Sequence, residues 1–231
     1  MDLARRLAFP KISDALARLR FRPEDAADVL TAREAVLASD ADRAIVEGLA
    51  SRIIALNGNY LAETLFTDDE VAHPLGFGVP LILAFLATTD EALAWRPGQP
   101  DELAWGSLAD FGQQVHINRL VHGEFGLHTY EWVQGNWAGG LLWLGRLQFN
   151  VGPMWINVDG RQEGEPAWFV HIPQSGPLTD ADAVASVERA RVEMARYYPD
   201  AGDRFYCGSW LLDPKIVEIV GPDSNIGRFA G

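Results

Sequence analysis

The sequence predicts an α+β fold, with a helical N-terminal domain followed by a mixed β-sheet flanked by helices. Three observations carry this expectation. Apolar residues recur at helical spacing through the first half, and the period changes to two after Gly126. Beyond that point strands follow one another directly before a strand–helix–strand unit ends the pattern. The boundary implied is a helical domain over 1–127 and a sheet domain over 128–231.

Pro23-Glu24-Asp25 opens the first clear helix, with proline in its first turn and acids near the positive end of the helix dipole. That helix runs to about Ala38. Ser39 or Asp40 caps the next, whose Ile45, Leu49, Ile53 and Leu56 share a face, and Asn57-Gly58 stops it. Pro80 to Leu93 reads as a short, very apolar helix buried on most sides. Arg96-Pro97-Gly98-Gln99-Pro100 is a loop, and Ser107-Leu108-Ala109-Asp110 resembles a capping box opening a helix to about His122.

From Leu141 to Phe149 the residues Leu141, Trp143, Gly145, Leu147 and Phe149 alternate with Leu142, Leu144, Arg146 and Gln148, which predicts one strand. Met154–Val158 is a second strand, Asp159-Gly160 a turn, and Ala167–Ile172 a third strand. A helix over Thr179–Tyr198, a strand over Phe205–Leu212 and a short helix over Pro214–Val220 complete the reading. Val184, Val187, Met194 and Tyr198 share a helix face that Arg191 interrupts, either snorkelling or pairing with a carboxylate, or lining an anion pocket.

The chain has 231 residues, 48% hydrophobic and 22% charged, as expected for a globular protein long enough for one large or two small domains. Its net charge of −13 is spread along the chain without a basic patch, which disfavours nucleic acid and anionic membrane surfaces as partners. No apolar run reaches membrane-spanning length, the N-terminus lacks a signal-peptide pattern, and Cys207 is the only cysteine. A cytoplasmic location follows from these features.

The segment after the third strand is the place to look for a site. Gln174-Ser175-Gly176-Pro177-Leu178-Thr179 leads into a helix N-terminus, which offers unpaired N–H groups and a partial positive charge to a phosphate. Against this, Pro173 and Pro177 remove two donors, Asp180 and Asp182 sit in the first turn, and the loop contains no lysine or arginine. The other reading is an ordinary connection capped by Thr179. His171 has an intrinsic pKa suited to a general base, or is a hydrogen-bonded core residue. His73, His116, His122 and His128 form no metal pattern, so no metal is expected. Cys207 reads as an inert thiol, and the eight tryptophans mainly as core.

Three blocks together carry a resemblance. Gly123-Glu124-Phe125-Gly126-Leu127-His128-Thr129-Tyr130-Glu131-Trp132 runs on into Leu144-Gly145-Arg146-Leu147-Gln148-Phe149. His171-Ile172-Pro173 is followed by Gly176-Pro177-Leu178 and Ser186. Cys207-Gly208-Ser209-Trp210-Leu211-Leu212-Asp213-Pro214 precedes Ser224-Asn225-Ile226 and Phe229. In this order they resemble a bacterial family of two-domain acyltransferases, with a helical N-terminal domain and a C-terminal domain similar to the GNAT fold.

The resemblance implies an acyltransferase that moves an acyl group from acyl-coenzyme A to an amine by direct attack, with no metal. It places the pantetheine arm between the strands Ala167–Ile172 and Phe205–Leu212, and the pyrophosphate over Gln174 to Thr179. It implies cofactor contacts from Ile172, Gln174, Ser175, Gly176, Leu178 and Thr179. His171 is then the base, Ser209 a donor to the thiolate, and Asp213 mainly a helix cap. Two departures stand out. The loop is shorter than the superfamily's Gln/Arg-x-x-Gly-x-Gly/Ala pattern, and the family pattern continues beyond Ser224-Asn225-Ile226 into further strands, which implies a C-terminal truncation. The alternative from another class is a non-catalytic binding protein that keeps the fold with a degenerate or incomplete site.

Overall fold

The computed structural model describes residues 1–157, 160 and 162–230, and forms two compact units, Met1–Gly139 and Gly140–Gly231. The first is helical: α1 (Leu3–Arg6), α2 (Lys11–Arg18), α3 (Pro23–Ala38), α4 (Asp40–Ala55), α5 (Asp68–Val71), α6 (Val79–Ala87), α7 (Thr89–Ala94), α8 (Asp101–Leu108), α9 (Asp110–His122) and α10 (Tyr130–Gly135). Every residue of α6 is buried, as its unbroken apolar sequence requires. Around it Phe85, Phe111 and Trp137 meet edge-on, with ring centroids 5.3 to 5.6 Å apart.

Two expected helices are divided. The Pro80–Leu93 segment breaks at Thr88, whose hydroxyl donates to the carbonyls of Ala84 and Phe85 and competes with the helix's own bonding. Ser107 lies inside α8, donating to the Leu103 carbonyl, so it does not open the helix that follows. That helix, α9, starts at Asp110. The buried Asp110 carboxylate accepts from Trp132 Nε1 at 2.8 Å and Asn136 Nδ2 at 3.0 Å. Gln134 donates to the Glu63 carbonyl, and Trp137 donates to Thr88. These bonds explain why the first unit extends through Gly139 although the apolar period changes at Gly126.

The second unit contains β1 (Leu141–Leu144), β2 (Leu147–Pro153), β3 (Pro166–His171), α11 (Asp180–Tyr197), β4 (Phe205–Tyr206), α12 (Pro214–Val220) and α13 (Asn225–Ala230). The sheet order is β1-β2-β3-β4, with β1–β2 and β2–β3 antiparallel and β3–β4 parallel, which is the mixed sheet expected. The single strand expected over Leu141–Phe149 is a hairpin. Leu144 pairs with Leu147, and Gly145 turns the chain at φ 75°. A turn of two residues preserves the phase of the alternation, so the pattern runs straight through it.

Residues 154 to 157 lie outside the strands. The Met154 N–H donates to the Glu165 carbonyl as the chain turns towards β3, while Val158 and Asp159 of the expected strand and turn lie outside the described residues. Helix α11 packs on the sheet through Ala183, Ser186, Ala190 and Met194, not through the larger Val184 and Val187. Small side chains let the helix approach closely. Trp137 and Trp168 are buried as expected, but Trp155 and Trp210 are exposed, Trp155 lying stacked on Phe169.

A buried ion pair ties α3 to α9. Asp25 is wholly buried and accepts from Arg119 Nε at 2.7 Å; Arg119 also pairs with Asp28, and His116 Nδ1 lies 3.8 Å from Asp25. Removing the cation strands a buried carboxylate, so Arg119→Ala is expected to cost about 3 kcal/mol of unfolding free energy. Lys11→Ala, at the exposed pair with Asp90, should cost less than about 1 kcal/mol. Urea denaturation of the two variants measures the contrast, and equal losses would contradict it.

Candidate functional site

The sheet opens at one place. Strands β3 and β4 pair only through Trp168–Phe205 and Phe169–Tyr206, and β3 runs on through Val170 and His171 past the end of β4. The strand expected over Phe205–Leu212 is therefore cut short. After Tyr206 the chain leaves the ladder and forms a short turn of 3₁₀ helix at Trp210–Leu212. The Tyr206 hydroxyl at this opening is buried, without a hydrogen-bond partner among the described residues.

His171 sits at the exit of β3, with Nε2 2.7 Å from Asn150 Oδ1 on β2. With Asn150 presenting its amide oxygen, Nε2 is the donor in that contact. Burial lowers the imidazole pKa from its ordinary 6.5 to about 4, so the ring is neutral at pH 7 and a weak base. Ser209 and Asp213 spend their oxygens on local caps: Ser209 accepts from the Leu211 N–H at 3.2 Å, and Asp213 from the Lys215 N–H at 2.9 Å. Burial pushes the Cys207 thiol pKa up, which keeps it protonated.

The loop residues are brought together. Ile172 is half-buried, Leu178 is buried, and Gln174, Ser175 and Gly176 are exposed in sequence order between β3 and α11. Gly176 has φ 125° with open space where a side chain would go, so backbone conformation is what calls for glycine there. Thr179 caps α11, accepting from the Asp182 N–H and donating to its carboxylate. The other first-turn acid, Asp180, lies 3.7 Å from Arg228 Nε.

The loop sequence contains no lysine or arginine, but the fold supplies a cation. Arg146, in the β1–β2 turn, donates Nη1 to the Pro173 carbonyl at 2.9 Å, Nη2 to Gly176 at 2.7 Å and Nε to Pro177 at 2.9 Å. Nothing in local spacing signals this, because the partners are main-chain oxygens 27 to 31 residues away. Arg191, singled out in the sequence, lines a cavity of about 470 Å³ between α11 and α13 together with Val184, Val187, Arg228 and Phe229, and its guanidinium lies 5.9 Å from the Phe205 ring.

A family model described as the N-acyltransferase N-terminal domain matches residues 10–139, and one described as the GNAT-like C-terminal domain matches residues 141–231. The chain belongs to the N-acyltransferase family. Among solved structures the chain is similar to an acyltransferase in complex with decanoyl-CoA, at 27% identity and a TM-score of 0.80. It is also similar to an acyltransferase in complex with decanoyl-CoA and teicoplanin, at 29% identity and a TM-score of 0.74. A third, an acyltransferase mutant in complex with octanoyl-CoA, has the same identity and score. In each case the match covers 94% of this chain and 67% of the other. Comparison with curated proteins gave no match. Among the described residues, no helix is long and apolar enough to cross a membrane.

The low pKa of His171 gives a testable pH dependence. In the unfolded chain the imidazole titrates near 6.5, so as the pH falls from there to about 4 the unfolded state binds the proton first and stability is lost. Urea unfolding at pH 7 and pH 4.5 should show wild type losing up to about 3 kcal/mol more than His171→Gln over this window. Equal losses in the two proteins would contradict the burial of a neutral ring.

Proposed function

We propose that the protein moves an acyl group from acyl-coenzyme A to an amine, with the thioester held where β3 and β4 part. The observation that carries this reading is the short parallel ladder. It leaves β3 running on beyond β4, beside a glycine loop that feeds the N-terminus of α11. Main-chain N–H groups at an opened strand edge can hydrogen-bond a thioester carbonyl, and a helix N-terminus suits the coenzyme's phosphates. The complexes of similar acyltransferases with decanoyl-CoA and octanoyl-CoA support coenzyme A as donor and medium-length acyl chains as the first to try. Those containing teicoplanin support an acceptor of glycopeptide class as a starting probe.

In the proposed step the amine nitrogen attacks the thioester carbon and the carbonyl oxygen takes up negative charge. The carbon–sulfur bond then breaks as the carbonyl re-forms. The amine proton leaves the nitrogen and a proton returns to the thiolate sulfur. We assign His171 to the amine side of this reaction. At a pKa of about 4 it orients the free amine by hydrogen bonding and passes an accepted proton on rather than storing it. Ile172 and the segment from Gln174 to Thr179 form the coenzyme-binding edge. Ser209 is assigned to the departing sulfur and Asp213 to holding the turn that carries it.

Calorimetry with acetyl-, octanoyl- and decanoyl-coenzyme A tests the reading. Saturable binding is expected, weakened about tenfold or more in Gly176→Val, where a β-branched side chain cannot adopt the left-handed backbone without strain. Folded wild-type protein that binds none of the three thioesters would overturn it.

A further inference from the structure

The Arg146 guanidinium gives three hydrogen bonds to three carbonyls of one loop, and among the described residues no carboxylate lies within ion-pairing distance of it. A half-buried arginine normally pairs with an acid, because desolvating an uncompensated charge is costly. Asp182, whose charge acts on Arg146 without an ion-pair contact, accepts from the Thr179 hydroxyl. The positive charge under this loop is therefore solvated by carbonyl dipoles and not paired with an anion of the protein.

The direction of those dipoles matters. In a trans peptide the C=O and the following N–H point to opposite sides. Capture of the Pro173 and Pro177 oxygens thus turns the N–H groups of Gln174 and Leu178 away from the guanidinium. The third captured oxygen, on Gly176, precedes Pro177, which has no N–H, so that peptide offers no outward donor. The first-turn N–H groups of Asp180 and Ala181 in α11, which follow in the chain, have no intrahelical partner.

We propose that Arg146 is a positioning residue for the pyrophosphate of the acyl-coenzyme A: it draws the carbonyls of Pro173, Gly176 and Pro177 inward, sets the Leu178 N–H outward ahead of the α11 N-terminus and supplies the positive charge the loop sequence lacks. This rests on the acyl-coenzyme A reading above. The residue acts through the loop, from the side opposite the phosphates. Its lever is a cation-backed cradle of main-chain N–H groups, which recognises diphosphate and is indifferent to the acyl chain. The main-chain N–H of Arg146 donates to Ser186 Oγ at 2.9 Å, so the turn that carries the guanidinium is itself fixed to α11.

The test compares S-decanoyl-coenzyme A with S-decanoyl-pantetheine, which keeps the acyl chain and pantetheine arm but has no pyrophosphate, by calorimetry on wild type, Arg146→Lys and Arg146→Ala. Arg146→Ala should weaken the coenzyme A thioester about tenfold and the pantetheine thioester less than about twofold. Arg146→Lys keeps the charge but not the three-point grip, and should fall between. Amide hydrogen exchange over residues 174–179, without ligand, should speed up in both variants. Coenzyme A thioester binding that is unchanged in the variants overturns the proposal, and so does equal weakening of both thioesters, which marks a purely structural role. Wild type that binds neither thioester overturns the acyl-coenzyme A reading and this proposal together, whereas wild-type binding with an insensitive Arg146 overturns this proposal alone.

Discussion

Ser186 fixes the relation of helix to sheet in the second unit. Its buried hydroxyl accepts the Arg146 N–H at 2.9 Å and donates to the Asp182 carbonyl at 2.6 Å, joining the β1–β2 turn to the first turns of α11. A side-chain carbon at Gly145 would come within 2.9 Å of that oxygen, so the close approach and the positive φ both require glycine at the turn. One hydroxyl thereby determines where the hairpin tip meets the helix. It also sets where the Arg146 guanidinium emerges and which way the loop between β3 and α11 must fold to meet it.

The opening of the sheet has a comparably simple cause. A parallel pair needs consecutive residues on both strands, and β4 supplies only Phe205 and Tyr206. Gly208 follows, its Cα close under the Trp155 ring, where a side-chain carbon would come within 3.1 Å of the indole. Ser209 and Asp213 then cap successive turns. The residues that end β4 are thus also the ones that carry the chain away from β3, so the gap between the strands is built by local turn chemistry.

Much of this was legible in the sequence because it depends on local chemistry. Thr179 does cap α11, and the apolar run in α6 is buried throughout. The hairpin at Gly145-Arg146 was hidden because its two-residue turn keeps the apolar alternation in phase. Of the apolar stripe on α11, Met194 and Tyr198 are buried but Val184 is exposed, and Ala183, Ser186 and Ala190 face the sheet in its stead because close packing selects for small volume. The weak basicity of His171 comes from tertiary burial, which a single strand's spacing does not reveal. Arg146 was invisible as a site residue for a related reason: its partners are backbone oxygens, and backbone oxygens have no side-chain signature.

The acidity of the chain sharpens what a coenzyme A site here must do. At a net charge of −13 the long-range field repels a polyanion, but at physiological salt charges separated by more than about 8 Å are largely screened. Binding is then governed by the charges nearest the loop. Asp182 is hydrogen-bonded to Thr179, and Asp180 lies beside Arg228, so the first-turn acids that argued against a phosphate are already engaged. Arg146 is held by carbonyls alone, and a cation solvated by dipoles keeps its full charge for an incoming anion, which one paired with a carboxylate does not. A loop with two prolines and no basic residue can therefore still be the positive pole of an acidic protein, provided the charge reaches it from a neighbouring hairpin.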